Sequence, residues 1–195
     1  MKKILITGFE PFGGENINPS WEAVSRLPDE VGEYALTKLR IPVIFNEAAS
    51  AVIEYADKFR PDAIICVGQA GGRNAITPEM VGINLRHASI PDNKGNMPKD
   101  ETIKEGEDAA YFSTIPVRSI VESINKAGIE SKVSYSAGAY VCNDVLYTLL
   151  SHYKNSAVKV GFIHIPYSKD QNKEPSMDLD AMIIGLTVAI ENIDK

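Results

Sequence analysis

The sequence predicts a three-layer α/β fold built around a largely parallel sheet. Segments typical of strands alternate with segments typical of helices along the whole chain, as in folds whose helices cover both faces of a sheet. Residues 63–67 are apolar at every position, as expected of a parallel strand buried on both faces. The chain has 195 residues, of which 44% are hydrophobic, and no repeat or linker divides it. We therefore expect residues 1–195 to form a single domain with a sizeable core.

The layers are assigned to segments in chain order. The predicted strands are residues 3–7, 35–39, 63–68, 81–86, 132–135 and 158–164. The predicted helices are residues 19–26, 44–59, 117–127 and 178–193, with a further helix that begins near Tyr140. The helix at 44–59 has the clearest pattern, because its apolar residues recur at three-to-four spacing and fall on one face.

One long segment, residues 91–113, interrupts this alternation. It contains the turn-forming run at 92–96, many charges and little apolar periodicity. Loops of this length are either functional lids or mobile surface segments, and the sequence favours neither.

Cys142 is the most informative single residue. It falls in the first turn of the helix predicted near Tyr140, after a loop marked by Gly138. A thiolate at that position is favoured by the positive end of the helix dipole, and a partnered imidazole lowers its pKa further. The alternative is a small buried side chain without chemistry, which is the usual role of cysteine. Cys66 fits that alternative, since it lies inside an apolar strand.

His164 is the candidate base. It follows an apolar strand and precedes a proline turn, whereas the other two histidines, His87 and His152, have no such setting. A histidine base needs an acceptor on its other ring nitrogen to hold the useful tautomer. Glu79 is a candidate for that acceptor, although spacing alone does not separate it from the other carboxylates.

Two glycine-rich loops follow predicted strands, at residues 8–14 and 68–73. Ligands of α/β folds bind at the carboxyl ends of such strands. Neither loop has the lysine and serine of a P-loop or the dinucleotide-binding spacing, which argues against a nucleotide. The rings of Phe9 and Phe12 favour a compact, largely neutral ligand instead. The same rings are also compatible with capping the core.

Charge and composition exclude several partners. Twenty basic and 26 acidic residues give a net charge of -6 with no basic run, which argues against nucleic-acid binding. The first apolar stretch stops at Gly8, too early for a signal peptide or a membrane span. Two cysteines form no disulfide framework, so we expect a cytoplasmic protein.

Six blocks of sequence, in order along nearly the whole chain, carry a family resemblance. The blocks are GFEPFGG (8–14) with NP (18–19), GQAGGR (68–73) with ITPE (76–79), IPDN (90–93), AYFST (110–114), CN (142–143) and GFIHIPY (161–167). Together they resemble pyroglutamyl peptidase type I, also called pyrrolidone-carboxylate peptidase. The resemblance implies an α/β/α sandwich with a central mixed sheet, and commonly a homotetramer.

The resemblance also implies an activity, that of a cysteine peptidase that removes an N-terminal pyroglutamyl residue from peptides. Cys142 would be the nucleophile, His164 the base and Glu79 the residue that orients it, with no metal or other cofactor. The chemistry would pass through a thioester.

A pyroglutamyl end has no charged amine, so its recognition should depend on ring packing and on hydrogen bonds to the lactam. Phe9, Phe12 and Tyr140 are suited to sandwich the ring, and Gln69 could pair with the lactam N–H or C=O.

The chain departs from the family pattern at three positions. Ser89 and Met80 stand where the family usually has arginine, and Tyr140 stands where phenylalanine is usual. If the family's arginine at the position of Ser89 supports the site's electrostatics, its loss should slow the enzyme. Two other functions stay open: a module that binds pyroglutamyl peptides without cleaving them, and a nucleoside phosphorylase or hydrolase on a similar fold.

Overall fold

The computed structural model describes residues 1–195. Its strands are β1 (Lys2–Phe9), β2 (Glu30–Val31), β3 (Tyr34–Ile41), β4 (Ala63–Gln69), β5 (Thr77–Pro78), β6 (Val81–Ile83), β7 (Ala110–Phe112), β8 (Lys159–Ile165), β9 (Tyr167–Ser168) and β10 (Ser176–Met177). Its helices are α1 (Pro19–Arg26), α2 (Glu47–Phe59), α3 (Val117–Lys126), α4 (Val141–Tyr153) and α5 (Leu179–Glu191), with one short 3-10 helix at Lys169–Gln171. No helix has both the length and the apolar character needed to cross a bilayer.

A six-stranded sheet with the order β2-β3-β1-β4-β8-β5 forms the centre of the molecule. Its four long strands, β3, β1, β4 and β8, are all parallel, while β2 and β5 are short antiparallel edges. The predicted mixed, largely parallel sheet is therefore confirmed. Two small sheets, β6 with β7 and β9 with β10, lie outside it.

Helices cover both faces of the central sheet, which confirms the three-layer prediction. Alternate residues of each strand point to opposite faces. In β4, Ile65 and Val67 join the core beneath α1, α3 and α5, whereas Ile64 and Cys66 join the core beneath α2 and α4. Both faces of β4 are thus sealed from water, as its continuous apolar sequence requires.

Helix α1 is fixed closely against the end of β1. Asn18 caps it by accepting a hydrogen bond from the Ser20 N–H, and Pro19 occupies its first position. The Ser20 hydroxyl in turn accepts from the Phe9 N–H at 2.9 Å. A Cβ at Gly8 would lie only 2.7 Å from the Ser20 carbonyl oxygen, so glycine is required for this approach. These contacts fix where the loop after β1 begins.

Two predicted strands differ from the structure. The strand predicted at 81–86 ends at Ile83 and pairs with β7 outside the main sheet. Residues 132–135 form no strand, and this segment makes only isolated parallel bridges, Ile76 with Ser131 and Glu79 with Ser134. Both segments pair on one side only and are partly exposed, so the apolar alternation that would extend them is absent.

The segment 91–113 is largely irregular, apart from β7, but its start is tied to the body of the protein. The buried Asp92 carboxylate accepts hydrogen bonds from the main-chain N–H groups of Phe45, Lys94 and Asn96. These bonds hold the turn at 92–96 against the residues that precede α2.

Candidate active site

Cys142 is the second residue of α4, as the sequence predicted for a first-turn thiol. Gly138, at φ +77°, allows the chain to turn just before the helix. The first N–H groups of α4 have no acceptor within the helix, and the first that is bonded there is that of Asp144, to the Tyr140 carbonyl oxygen. Cys142 is half-buried as a whole residue, and its side chain lies beside main-chain N–H groups that have no acceptor within the helix.

Buried polar residues lock the start of α4 in place. The side chain of Asn143 accepts from the Ile83 N–H and donates to the carbonyl oxygens of Ile83 and Leu85. The Asp144 carboxylate pairs with Arg86 at 2.5 Å. The sequence analysis missed both roles, although two polar residues beside a cysteine in an otherwise apolar helix were a usable signal.

His164 and Glu79 form the pair that the family resemblance implied. His164 lies in β8 and is 3% exposed, and Glu79 follows β5 and is fully buried. The His164 Nδ1 atom lies 2.7 Å from the Glu79 Oε1 atom. Since a carboxylate can only accept, Nδ1 carries the proton and Nε2 is the free base atom. Nε2 has no partner in the chain.

Gly68 lies close to both the Cys142 thiol and the His164 residue. It pairs directly with His164 across β4 and β8, so the two residues face the same side of the sheet. A Cβ at Gly68 would lie 3.0 Å from the Cys142 Sγ atom and 2.8 Å from the Phe162 ring. The Phe162 ring in turn lies 4.7 Å, centroid to centroid, from the His164 ring. The structure therefore brings Cys142, His164 and Glu79 together at the carboxyl end of the sheet.

Arg73 is a fourth member of this cluster that the sequence did not assign to it. One guanidinium nitrogen donates to the Thr77 hydroxyl at 2.6 Å and to Glu79 Oε1 at 2.8 Å. The other donates to the Ser136 carbonyl oxygen at 3.1 Å. Its position after the glycine pair of the 68–73 loop carried no signal of a contact with Glu79.

Burial sets the protonation states of the cluster. Burial raises the pKa of Glu79, but the hydrogen bonds from His164 and Arg73 outweigh it, and the net pKa is lowered. Burial lowers the pKa of His164 against the opposing effect of Glu79. Burial, together with the negative charge of Glu79, raises the pKa of the Cys142 thiol to about 12.

The expected low thiol pKa is therefore not found in the free protein. The loss of water around the sulfur outweighs the helix dipole that the sequence argument relied on. Both directions favour a neutral thiol and a neutral imidazole at neutral pH.

A small pocket opens beside the Cys142 thiol. It encloses about 300 Å³, including its open mouth, which is small for a ligand site and suits a single ring. Its walls are Phe9, Phe12, Asn18, Val43, Gln69, Tyr140, Val141 and Cys142. The four residues predicted to bind a ligand ring, Phe9, Phe12, Gln69 and Tyr140, thus all border one pocket, and no wall residue is charged.

The aromatic walls of the pocket are themselves packed. The rings of Phe12 and Tyr140 lie 6.3 Å apart, and Phe45 meets Tyr140 edge to face at 5.3 Å. The Tyr140 hydroxyl donates to the Pro91 carbonyl oxygen at 3.0 Å. This bond satisfies the extra hydroxyl of Tyr140 and ties the pocket wall to the segment 91–113.

Gln69 is held from outside the pocket. Its Oε1 accepts from the Gln171 side chain at 2.9 Å, and the Gln171 oxygen accepts from the Ser168 main-chain N–H at 3.1 Å. Because a main-chain N–H can only donate, both amide orientations are fixed, and the Gln69 Nε2 group is left without a partner. The side chain leaves β4 on the face opposite to Gly68, so it borders the pocket only at the edge of the sheet.

Neither Ser89 nor Met80 borders the pocket. Ser89 is exposed, and Met80 packs against the core beneath α1, α3 and α5. Arg86 is held by Asp144, and Arg73 lies behind Glu79. The protein contains no group of three or more His, Cys, Asp or Glu side chains arranged to hold a metal ion.

Comparison with known proteins identifies the family. A family model described as pyroglutamyl peptidase matches residues 2–195. The pyrrolidone-carboxylate peptidase of Lactobacillus helveticus is 49% identical over 194 residues, 97% of either chain. That of Thermococcus kodakarensis is 47% identical over 98% of this chain and 95% of its own.

Solved structures agree with the sequence relatives. The crystal structure of Bacillus amyloliquefaciens pyroglutamyl peptidase I superposes with a TM-score of 0.95 at 46% identity, covering 99% of this chain and 97% of its own. The pyrrolidone carboxyl peptidase of Thermococcus litoralis also gives 0.95, at 37% identity, covering 99% and 93%. With its fold and nearly its whole length shared, the chain belongs to the pyroglutamyl peptidase family.

Proposed function

We propose that this protein is a cysteine peptidase that hydrolyses the bond after an N-terminal pyroglutamyl residue. The observation that carries the proposal is one arrangement: the Cys142 thiol lies beside an uncharged, ring-lined pocket and next to His164, whose Nδ1 is held by buried Glu79. Family membership supports the same reaction.

In the first step the Cys142 sulfur attacks the pyroglutamyl carbonyl carbon while His164 Nε2 takes the thiol proton. The negative oxygen that forms faces the free N–H groups at the start of α4, which stabilise it. Glu79 stabilises the imidazolium and keeps its ring in place. The imidazolium then gives its proton to the departing amine, and a pyroglutamyl thioester is left on Cys142.

In the second step a water molecule attacks the thioester. His164 Nε2, neutral again, takes a proton from the water, and the second oxyanion lies at the same helix terminus. Collapse of this intermediate breaks the carbon–sulfur bond, the proton returns to sulfur, and free pyroglutamate leaves. The residues that act on protons and charge in both steps are therefore the same.

The pocket would select a neutral ring. Phe9, Phe12 and Tyr140 would pack against the faces and edge of the lactam, and Gln69 would pair with one of its polar atoms. An ordinary N-terminus carries an ammonium group, which would lose its water here and meet no carboxylate. Discrimination against free amines should thus come mainly from desolvation.

The direct test is release of a fluorescent amine from a pyroglutamyl amide by the purified, reduced protein. The matched substrate is the prolyl amide, which has the same five-membered ring but a charged amine in place of the lactam. We expect cleavage of the pyroglutamyl amide alone. Cys142→Ala should abolish it and Cys66→Ala should not, because Cys66 is buried in the core and does not border the pocket. Equal cleavage of both amides, or full activity of Cys142→Ala, would refute the proposal.

The same assay separates the two alternatives. A binding module would hold the pyroglutamyl amide without releasing amine, and calorimetry with the substrate would detect that. A nucleoside phosphorylase needs donors for a phosphate, and the pocket walls contain no charged residue. Family membership favours the peptidase over both.

We also propose that residues 1–195 act as one peptidase domain in the cytoplasm. The single central sheet with a core on each face supports one domain. Both cysteines are free, and free thiols without disulfides are typical of a reducing compartment, which supports the location. Fractionation of cells followed by the pyroglutamyl assay would test the location.

Self-association as a dimer or tetramer is part of the same proposal. Large apolar side chains stand in solvent on the isolated chain, including Phe112, Tyr135 and Ile184, which are 72%, 63% and 52% exposed. Side chains of this size are the ones that a second copy would cover if they lie on a shared face. Light scattering coupled to size exclusion should give a mass of two or four chains, and a monomer at micromolar concentration would contradict it.

A further inference from the structure

The Arg73 guanidinium joins three separate parts of the chain around Glu79. It donates to Thr77 and Glu79 from one nitrogen and to the Ser136 carbonyl oxygen from the other. Apart from His164, it is the only cationic side chain within salt-bridge distance of Glu79. The pair is well shielded, since the Glu79 side chain is fully buried and the Arg73 side chain is 28% exposed.

We propose that Arg73 is a positioning residue that fixes Glu79 on one side and the loop before α4 on the other. This inference rests on the proposed function and adds a fourth residue to its machinery. Arg73 touches neither the substrate pocket nor the reacting atoms, so it acts only through Glu79 and Cys142.

The Glu79 carboxylate would be poorly held without Arg73. Its Oε1 atom accepts from both His164 and Arg73, while its Oε2 atom is buried without a hydrogen-bond partner. A buried carboxylate with a single neutral histidine as its partner would lose much of the charge compensation that burial requires. The planar fork of arginine supplies that charge and sets the angle of the carboxylate.

The bond to Ser136 links the carboxylate to the nucleophile. Ser136 opens a short turn in which its hydroxyl accepts from the Gly138 N–H at 3.2 Å, and the chain then enters α4. Holding the Ser136 carbonyl oxygen therefore holds the turn that delivers Cys142. The Arg73 guanidinium thus fixes the position of Glu79 and also that of the turn before Cys142.

Electrostatics support the geometric argument. The positive charge of Arg73 lowers the pKa of His164 and also that of Cys142. The other groups that act on this pair are Glu79 and, through its thiol, Cys66. Removing the charge of Arg73 should therefore raise both ionisations of the Cys142 and His164 pair, whereas a purely structural change would leave them in place.

The experiment compares R73Q, R73K and the control R118Q in the full chain. Arg118 is an exposed arginine whose only side-chain partner is the Tyr135 hydroxyl, so it controls for loss of a charge. Two readouts are measured: the pH dependence of kcat/KM on the pyroglutamyl amide, and the rate of Cys142 alkylation by iodoacetamide, with the site identified by mass spectrometry. Alkylation needs no turnover, so it tests Arg73 even if the wild-type protein fails to cleave the amide.

For R73Q we expect kcat/KM to fall by up to about 10²-fold, as for a small misplacement of reacting groups. We also expect the acid limb to move up by roughly 0.5 to 1 pH unit, and alkylation at pH 9 to slow by the corresponding 3- to 10-fold. R73K should keep the wild-type acid limb but lose rate, because an ammonium cannot bridge all three acceptors. R118Q should match the wild type in both readouts.

Three results would overturn the proposal. They are a wild-type rate in R73Q, a slow R73Q with an unmoved acid limb and unchanged alkylation, and an R73K that shifts as far as R73Q. If R73Q does not fold, R73K alone decides the positioning role: a wild-type rate in R73K would refute it, and a reduced rate with an unmoved acid limb would support it.

Discussion

On the proposed function, Gly68 should be as important for activity as a residue that does chemistry, because there is no room for a side chain between β4, β8 and the Cys142 thiol. In Gly68→Ala the new Cβ would start 2.8 Å from the Phe162 ring and 3.0 Å from Cys142 Sγ. Carbon contacts are most favourable at about 3.5–4.0 Å, so the neighbours must move by roughly 0.5–1 Å. Part of that movement falls on the nucleophile.

The size of the effect follows from that displacement. Overpacking a core by one methyl group costs about 1–3 kcal/mol of unfolding free energy. A shift of about 1 Å in a reacting atom costs up to about 10²-fold in rate. We therefore expect Gly68→Ala to lower the free energy of unfolding by about 1–3 kcal/mol and to lower kcat/KM by about 10²-fold in the pyroglutamyl amide assay.

Gly161→Ala is the matched control. Gly161 lies on the adjacent strand β8, and its Cβ would lie 2.2 Å from the Ile115 side chain, on the face away from Cys142. It should destabilise the protein comparably while leaving kcat/KM of the folded fraction within about threefold, since it moves no reacting atom. Unfolding by urea and steady-state kinetics are measured on both variants. If Gly68→Ala keeps kcat/KM within threefold of the wild type, or if Gly161→Ala loses as much activity, the argument from the position of Sγ is wrong.

Three further predictions concern protonation and the positions where the chain departs from its family. The profile of kcat/KM against pH should be a broad bell. Burial lowers the pKa of His164, so the base is lost only below the ordinary imidazole range, and burial raises the pKa of Cys142 to about 12, so the plateau should extend well above neutrality. An acid limb above pH 7 would contradict these directions. Tyr140→Phe removes the hydrogen bond to the Pro91 carbonyl oxygen. We therefore expect the free energy of unfolding to fall by about 1 kcal/mol and KM to rise severalfold with kcat little changed. An unchanged KM would show that the bond does not shape the pocket. Ser89→Arg should raise kcat if the family's guanidinium contributes to turnover, because Arg73 is paired with Glu79 and Arg86 with Asp144. An equal or lower kcat would remove Ser89 as an explanation for any low activity.

The sequence predicted an element well where neighbouring residues alone determine it. Helix α1 begins and ends as predicted, since Asn18 and Pro19 mark its start within two residues. Strand β4 was recognised because burial on both faces makes it continuously apolar. The strand at 81–86 was predicted three residues too long, and no strand forms at 132–135, because each segment pairs on one side only and pairing depends on the distant partner.

Some residues of the candidate site could be predicted from the local sequence, and others could not. Cys142 and His164 stood at element boundaries that the sequence shows, whereas Glu79 was one carboxylate among many until the family resemblance singled it out. Arg73 and Gly68 were missed, because their roles depend on which strands lie side by side. The thiol pKa was expected in the wrong direction, since the depth of burial is a property of the whole fold and not of the first turn of a helix.

The start of α4 supplies both a wall of the pocket and the nucleophile. Tyr140 and Val141 border the pocket, and Cys142 follows them directly, so the distance from the seat of the ring to the sulfur is set by a few rigid backbone bonds. On the proposed function, this fixed distance places the carbonyl carbon of the first residue of the peptide at the sulfur. A six-membered lactam, longer by a single methylene, would carry its carbonyl carbon out of line with the sulfur, so it should occupy the pocket as an inhibitor and be cleaved poorly.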